Sequence, residues 1–536
     1  MCSFLPFPPP AFPRFYLFPV RKSCIMETEK KSEDTAMAEG FNPLTGMDYP
    51  DPDVIRVGDA YYMISTTMHF FPGANILRSY DLIRWETCAF LYDTLEHTPG
   101  EILEEDRTAY GHGMWAASLR YHAGRFYAVF IAHEWPETFL FTAKNIEGPW
   151  EKRHIRGIYH DPSLLFDDDG RVYIVCGNRD IRLTELNDDL SGPKEGGLDR
   201  IIVRDAPGDF LGYEGSHLYK INGKYVLFLI HSRQQEWFRT QACFVADDLR
   251  GVWAGGDVLA TDLDGLNSGV AQGGVVDTPD GRWFAVLFQD RGAVGRIPVL
   301  VPVTWNRFGY PVFGRVTREI ANTCTRPGWI PRPLYADDDF TDPVLKDVWQ
   351  FNHEPRQGCW ETGRGAYTVR TDKLSPTLEF ARNTITQRTV LPGCAAEVTV
   401  NAENIRPGDV AGLCLLIGSY GLIGITREEN GFFLVMKARR PGQEEEEEYA
   451  RIPWSGPEVR LRASVRFPGL KGEVQFAYLE GQEWKPLGPV HTMAFALDHF
   501  TGCRFGLFLY SVRETGGSAA FTRFTYRPDT FPEILP

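Results

Sequence analysis

Four absences narrow the reading before any motif is considered. No apolar run reaches the roughly 20 residues that a membrane-spanning helix needs, so no membrane partner is expected. Positive charge is in deficit: 56 Lys and Arg stand against 71 Asp and Glu, a formal net charge of −15. That balance argues against nucleic acid as a partner. The ten cysteines, at 2, 24, 88, 176, 243, 324, 359, 394, 414 and 503, form neither a CxxC pair nor a zinc spacing. Free thiols in a reducing compartment are the expectation. The N-terminus also lacks a basic start followed by a continuous apolar stretch, because prolines at 6, 8, 9, 10 and 13 interrupt it. It is a poor secretory signal, and the location expected is cytoplasmic. Segment 1–40 reads as disordered, or as an extension upstream of a true start at Met26 or Met37; a Pro-rich docking peptide is the lesser alternative.

What is present is a recurring hairpin. In Tyr49-Pro50-Asp51-Pro52-Asp53-Val54-Ile55-Arg56-Val57-Gly58-Asp59-Ala60-Tyr61-Tyr62, two prolines fix the backbone around Asp51. An apolar run, a Gly-Asp turn and an aromatic run follow, which predicts two strands joined by a tight turn. The turn and second strand return at Gly124-Arg125-Phe126-Tyr127, Gly170-Arg171-Val172-Tyr173, Gly223-Lys224-Tyr225-Val226 and Gly281-Arg282-Trp283-Phe284. The turn glycines are 66, 46, 53 and 58 residues apart. A hairpin repeat of this period predicts a five-bladed β-propeller over residues 41–325.

Nine residues before each later turn glycine stand Trp115, Asp161, Glu214 and Gln272; Asp51 stands seven before the first. If these head the innermost strands, they ring the mouth of the central channel. Three of the five are carboxylates, a placement that like-charge repulsion disfavours. The polar insert Thr87–His112 should overhang one face.

Residues 326–336 form a Pro-rich linker. From 337 to 536 the hairpin repeat stops. Short alternating strands, such as Ala396-Glu397-Val398-Thr399-Val400 and Val459-Arg460-Leu461-Arg462-Ala463, predict an antiparallel β-sandwich. The fold class is therefore all-β, a propeller followed by a sandwich. The Glu444–Glu448 run reads as a solvated hairpin tip.

Three carboxylates around one pocket fit acid–base hydrolysis of a glycosidic bond, with one as base, one as acid and a third tuning the acid by repulsion. An Asp before Pro at a strand start is commonly only a turn-maker, but the shared register of five repeats favours the chemical reading.

The sequence also resembles glycoside hydrolase family 43. Tyr49-Pro50-Asp51-Pro52-Asp53, His160-Asp161-Pro162-Ser163-Leu164-Leu165-Phe166-Asp167-Asp168-Asp169-Gly170 and Glu214-Gly215-Ser216-His217-Leu218-Tyr219-Lys220 are similar to its three signature blocks. The C-terminal part is similar to the concanavalin-like jelly roll of its β-xylosidase branch. The resemblance implies an exo-acting, inverting hydrolase of β-xylosides or α-L-arabinofuranosides, with xylo- or arabino-oligosaccharides as partners. It implies Asp51 as general base, Asp161 as pKa modulator and Glu214 as general acid. Trp115 and Arg296 fall where the family lines the sugar subsite. Met68, His69, Phe70 and Phe71 fall on a loop that walls it in relatives, and many of those carry an aromatic at Met68. Phe500-Thr501-Gly502 is the loop expected to cap the pocket from the sandwich. One departure concerns a metal: relatives place a His just before Gln-Gly-Gly that often binds a central calcium, and this chain has Ala271 there. No cofactor is expected. A non-catalytic carbohydrate-binding protein is the alternative, and the sequence leaves self-association open.

Overall fold

A computed structural model describes residues 37–528, apart from 206–209, 233–236, 324–325 and 444. It contains five four-stranded antiparallel sheets in chain order. Their innermost strands are Asp53–Val57, Ser118–His122, Ser163–Phe166, Leu211–Ile221 and Val270–Asp277. Each pairs first with the strand beyond its turn, so the repeating hairpin is the inner half of every blade. Alternating apolar residues face the neighbouring blades. Trp85 packs with Val54, Tyr61 and Leu77 of the first blade and Val276 and Phe284 of the fifth, and Trp253 packs in a cluster shared by the third and fourth.

Residues 37–40, expected within the N-terminal extension, instead form part of a strand, Met37–Phe41, paired with Glu319–Thr323 after the fifth blade. Residues 1–36 lie outside the described part. The expected overhang Thr87–His112 is also corrected. Glu86–Tyr92 is the outer strand of the first blade. The chain that follows docks on the sandwich: Tyr110 donates to the Glu379 carbonyl at 3.0 Å, and Arg382 and Lys373 donate to the carbonyls of Ile102 and Leu103.

The C-terminal part supplies seven strands of one antiparallel sheet and all eight of another, packed around a core that includes Leu413, Leu461, Phe476, Phe505 and Phe521. The first of these sheets does not end within the C-terminal part. Its edge strand Gln350–Asn352 pairs with Phe70–Phe71 of the propeller. Buried Arg504, with its guanidinium 3.4 Å above the Phe70 ring, reinforces the junction. Among the described residues every cysteine is a free thiol.

Candidate active site

Asp51, Trp115 and Asp161 lie two or three residues before their inner strands, whereas Gln272 and Glu214 lie inside theirs, as the third and fourth residues. Asp51, Asp161 and Gln272 share an unusual backbone, with φ of 51°, 46° and 55°. A residue with a side chain holds this left-handed conformation at a cost on the order of 1 kcal/mol. Gln272 sits on a β-bulge, and Glu214 is flanked by two register shifts, devices that re-aim a side chain at the end of a strand.

Asp51 and Asp161 are both buried, at 6% and 5% exposure. Asp51 accepts from the Thr66 hydroxyl at 2.7 Å and from Arg296 Nη1 at 2.7 Å. Burial raises its carboxyl above the usual range, against the pull of Arg296. Asp161 accepts from the Gly215 N–H at 2.9 Å. Burial pushes Asp161 up to about 6, opposed by His160 and reinforced by repulsion from Glu214 and Asp51. Glu214 accepts from Asn178 Nδ2 at 2.5 Å and lies 3.5 Å from His160 Nε2. The charge of Asp161, outweighing burial, drives the His160 imidazole up to about 9. His160 is therefore cationic at neutral pH, between two carboxylates.

Arg296 is buried. One face of its guanidinium lies 4.1 Å from the ring centre of Phe500, and its Nη2 donates to the Phe500 carbonyl at 3.4 Å. Trp115 meets Phe500 at 5.6 Å, His133 at 4.0 Å and His160 at 5.8 Å between ring centres. Phe500 belongs to the sandwich loop, so both parts of the chain build this wall. Asp48 anchors the loop, accepting from the Gly502 N–H and, through its other oxygen, from the Arg296 N–H. Glycine is required at 502, since a Cβ there would stand 2.3 Å from the Val294 carbonyl oxygen. Gln272 is buried, and its side chain lies against Gly215, where an added Cβ would come within 2.7 Å of it.

Met68, His69, Phe70 and Phe71 are the residues expected on a loop walling the sugar subsite. All four are only 1–2% exposed. Phe70 and Phe71 are taken up by the sandwich sheet, and His69 packs among Tyr110, His353 and His499 with ring centres 4.6–6.1 Å away. Sequence reasoning missed His160, Asn178 and His133 as parts of the site. His160 had a usable signal, its place beside Asp161; Asn178 and His133 fall outside the repeated register and had none.

His160, Asp161 and Glu214 bring their ligand atoms within 4.8 Å of one another, with His160 Nε2 3.5 Å from Glu214 and 3.7 Å from Asp161. A central calcium does not fit the residues on the propeller axis. That ion takes six to eight oxygen ligands, whereas the axis presents Asp53, an imidazole and a phenol whose groups already bind one another. Asp53 is fully buried; its Oδ2 accepts from Arg120 Nη1 at 2.6 Å and the Leu119 N–H at 2.8 Å. Its Oδ1 lies 3.1 Å from His217 Nδ1 and 3.3 Å from the Tyr219 hydroxyl. Ala271, where relatives have the histidine, is buried against Ile230 and Phe288.

Comparison with known proteins gives one family for this arrangement. The sequence profile described as "Glycosyl hydrolases family 43" matches residues 41–311, and "Beta xylosidase C-terminal Concanavalin A-like domain" matches 337–527. A bifunctional "GH43-CE" structure from Bacteroides eggerthii superposes with a TM-score of 0.86 at 37% identity, covering 92% of this chain and 64% of that one. The chain thus spans less than two thirds of that protein. A β-xylosidase of Formosa agariphila is 27% identical over 591 residues, covering 95% of this chain and 96% of the relative. A non-reducing end α-L-arabinofuranosidase of Bacteroides ovatus is 29% identical over 345 residues, 60% of this chain and 62% of the relative. With the propeller, the jelly roll and the profile match all in agreement, this chain belongs to glycoside hydrolase family 43.

Proposed function

We propose that the protein removes single β-D-xylose or α-L-arabinofuranose units from the ends of xylan- or arabinan-derived oligosaccharides, with inversion at the anomeric carbon. Asp51 is the general base, activating water while Arg296 and Thr66 fix its carboxylate. Glu214 is the general acid and protonates the departing oxygen. Asp161 modulates and orients that acid: like charges this close disfavour joint ionisation, and its bond to the Gly215 N–H ties it to the residue next to Glu214. Trp115, Arg296 and Phe500 wall the bound sugar.

The observation that carries this reading is the convergence of three carboxylates at one mouth, closed on one side by a loop of the sandwich. Such a wall favours an exo-acting enzyme over one that binds mid-chain. Both sugar classes occur among the named relatives. The binding-protein alternative has no observation in its favour, since a binder has no need of three closely placed carboxylates. Turnover of p-nitrophenyl β-xyloside against p-nitrophenyl α-L-arabinofuranoside tests the proposal. Release of nitrophenol from at least one is expected; hydrolysis of neither, nor of xylo- or arabino-oligosaccharides, overturns it.

A further inference from the structure

We propose that Arg120 is a built-in axial cation, which does for this propeller what a bound metal ion would do and thereby sets the spacing of the three carboxylates. The guanidinium has five N–H donors in a rigid fork, and all five are used. Nη1 donates to Asp53 Oδ2 at 2.6 Å and to the Leu119 carbonyl at 2.7 Å. Nη2 donates to Ser163 Oγ at 2.7 Å and to the Leu218 carbonyl at 3.4 Å, and Nε to the Leu164 carbonyl at 2.9 Å. Its face covers the Tyr219 ring at 4.9 Å, and the Tyr219 oxygen accepts from the Val275 N–H at 3.2 Å.

Arg120 itself reaches four blades, and Tyr219 carries the set to the fifth. Asp53 belongs to the first inner strand, Leu119 to the second, Ser163 and Leu164 to the third, Leu218 and Tyr219 to the fourth and Val275 to the fifth. Glycine at 274 leaves room for the arrangement, since a Cβ there would stand 2.8 Å from both Asp53 Oδ1 and the Tyr219 oxygen. The partners also bear a fixed relation to the reacting groups: Asp53 is two residues beyond Asp51, Ser163 two beyond Asp161, and Leu218 four beyond Glu214. One side chain therefore ties together the strands that carry all three carboxylates. Arg120 touches none of the three among its hydrogen bonds; it is a positioning residue.

The test is Arg120→Ala, assayed on whichever aryl glycoside the wild type cleaves, with guanidinium chloride or urea added at equal, non-denaturing concentration. A displacement of about 1 Å at the reacting groups costs on the order of 100-fold. We expect kcat to fall by that order with KM little changed, and guanidinium, but not the neutral urea of similar shape, to restore part of it. Guanidinium is ordinarily the stronger denaturant, so a melting midpoint of the variant that rises in guanidinium and falls in urea supports the same site without any turnover. Wild-type kcat in Arg120→Ala, or equal effects of guanidinium and urea, overturns the proposal. Should the variant not fold, the wild type decides: unchanged activity and melting after exhaustive chelation supports an internal cation, and loss restored by calcium refutes it. The melting and chelation arms stand even if no glycoside is cleaved, so a failure of the sugar assignment is distinguishable from a failure here.

Discussion

Replacing Asp161 by asparagine should make the protein more stable and less active at once. The Asp161 carboxyl is held at about 6 instead of 3.8 by burial and by the charges of Glu214 and Asp51. A raised carboxyl favours folding fully only below pH 3.8, where it is protonated in both states, and that favour is lost as pH rises to about 6. At about 1.4 kcal/mol per pH unit, the ionised group costs the folded state about 3 kcal/mol at neutral pH. Asparagine keeps an oxygen that can accept from the Gly215 N–H and carries no charge, so it removes that cost. With an unfolding entropy of about 2 cal/mol/K per residue, the midpoint of a chain this long moves by about 3 °C. The assay is thermal unfolding of wild type and Asp161→Asn across pH. The variant should melt about 3 °C higher above pH 7, with the gain fading towards pH 3.8, while turnover collapses. A variant that melts at or below wild type at neutral pH, or whose gain ignores pH, refutes the reasoning.

Glu214→Gln and Asp51→Asn should each cut kcat about 100- to 10,000-fold with unchanged circular dichroism; wild-type-like turnover in either would remove its assigned role. The first anomer seen by NMR, before mutarotation, should be inverted, as expected of an acid and a base separated by about 6.5–9.5 Å with water between. Phe500→Ala takes away the face on which Arg296 rests; a cation–π contact of about 0.5–2 kcal/mol corresponds to a loss of about 2- to 30-fold in kcat/KM. An unaltered kcat/KM in that variant would mean that the sandwich loop does not contribute to the sugar site.

The propeller was legible because its signal is local and repeated. A turn glycine and an aromatic strand recur in all five blades, and counting back from each glycine reached the strand heads. The same count led to Asp51, Asp161 and Glu214, since the residue that begins an inner strand faces the channel whatever its chemistry. What was not legible depended on contacts far apart in sequence. Nothing around Met68–Phe71 announces that two of its residues will pair with Phe351 and Asn352, some 280 positions away. The acidic run at 444–448 looked wholly solvated. Residue 444 lies outside the described part, but Glu446 is turned inward, salt-bridged to Lys437 and accepting from the hydroxyls of Tyr420 and Tyr510. Composition could not single it out from four neighbouring glutamates. Arg120 was invisible as an axial group, because an arginine in a short strand usually reads as a surface charge.

The two-residue strand Phe70–Phe71 has a consequence for exchanging parts between relatives. A sheet that takes its last strand from another part of the chain has no finished edge of its own. Moved alone onto a foreign partner, the sandwich would present the backbone of Gln350–Asn352 unpaired, an invitation to edge-to-edge association. The propeller, moved alone, would lose the strand that pairs with Phe70–Phe71 and the Arg504 guanidinium that covers the Phe70 ring. The two parts are therefore not interchangeable cassettes. A working chimaera must carry the Phe70–Phe71 loop together with the sandwich that receives it, or redesign both sides of the pair.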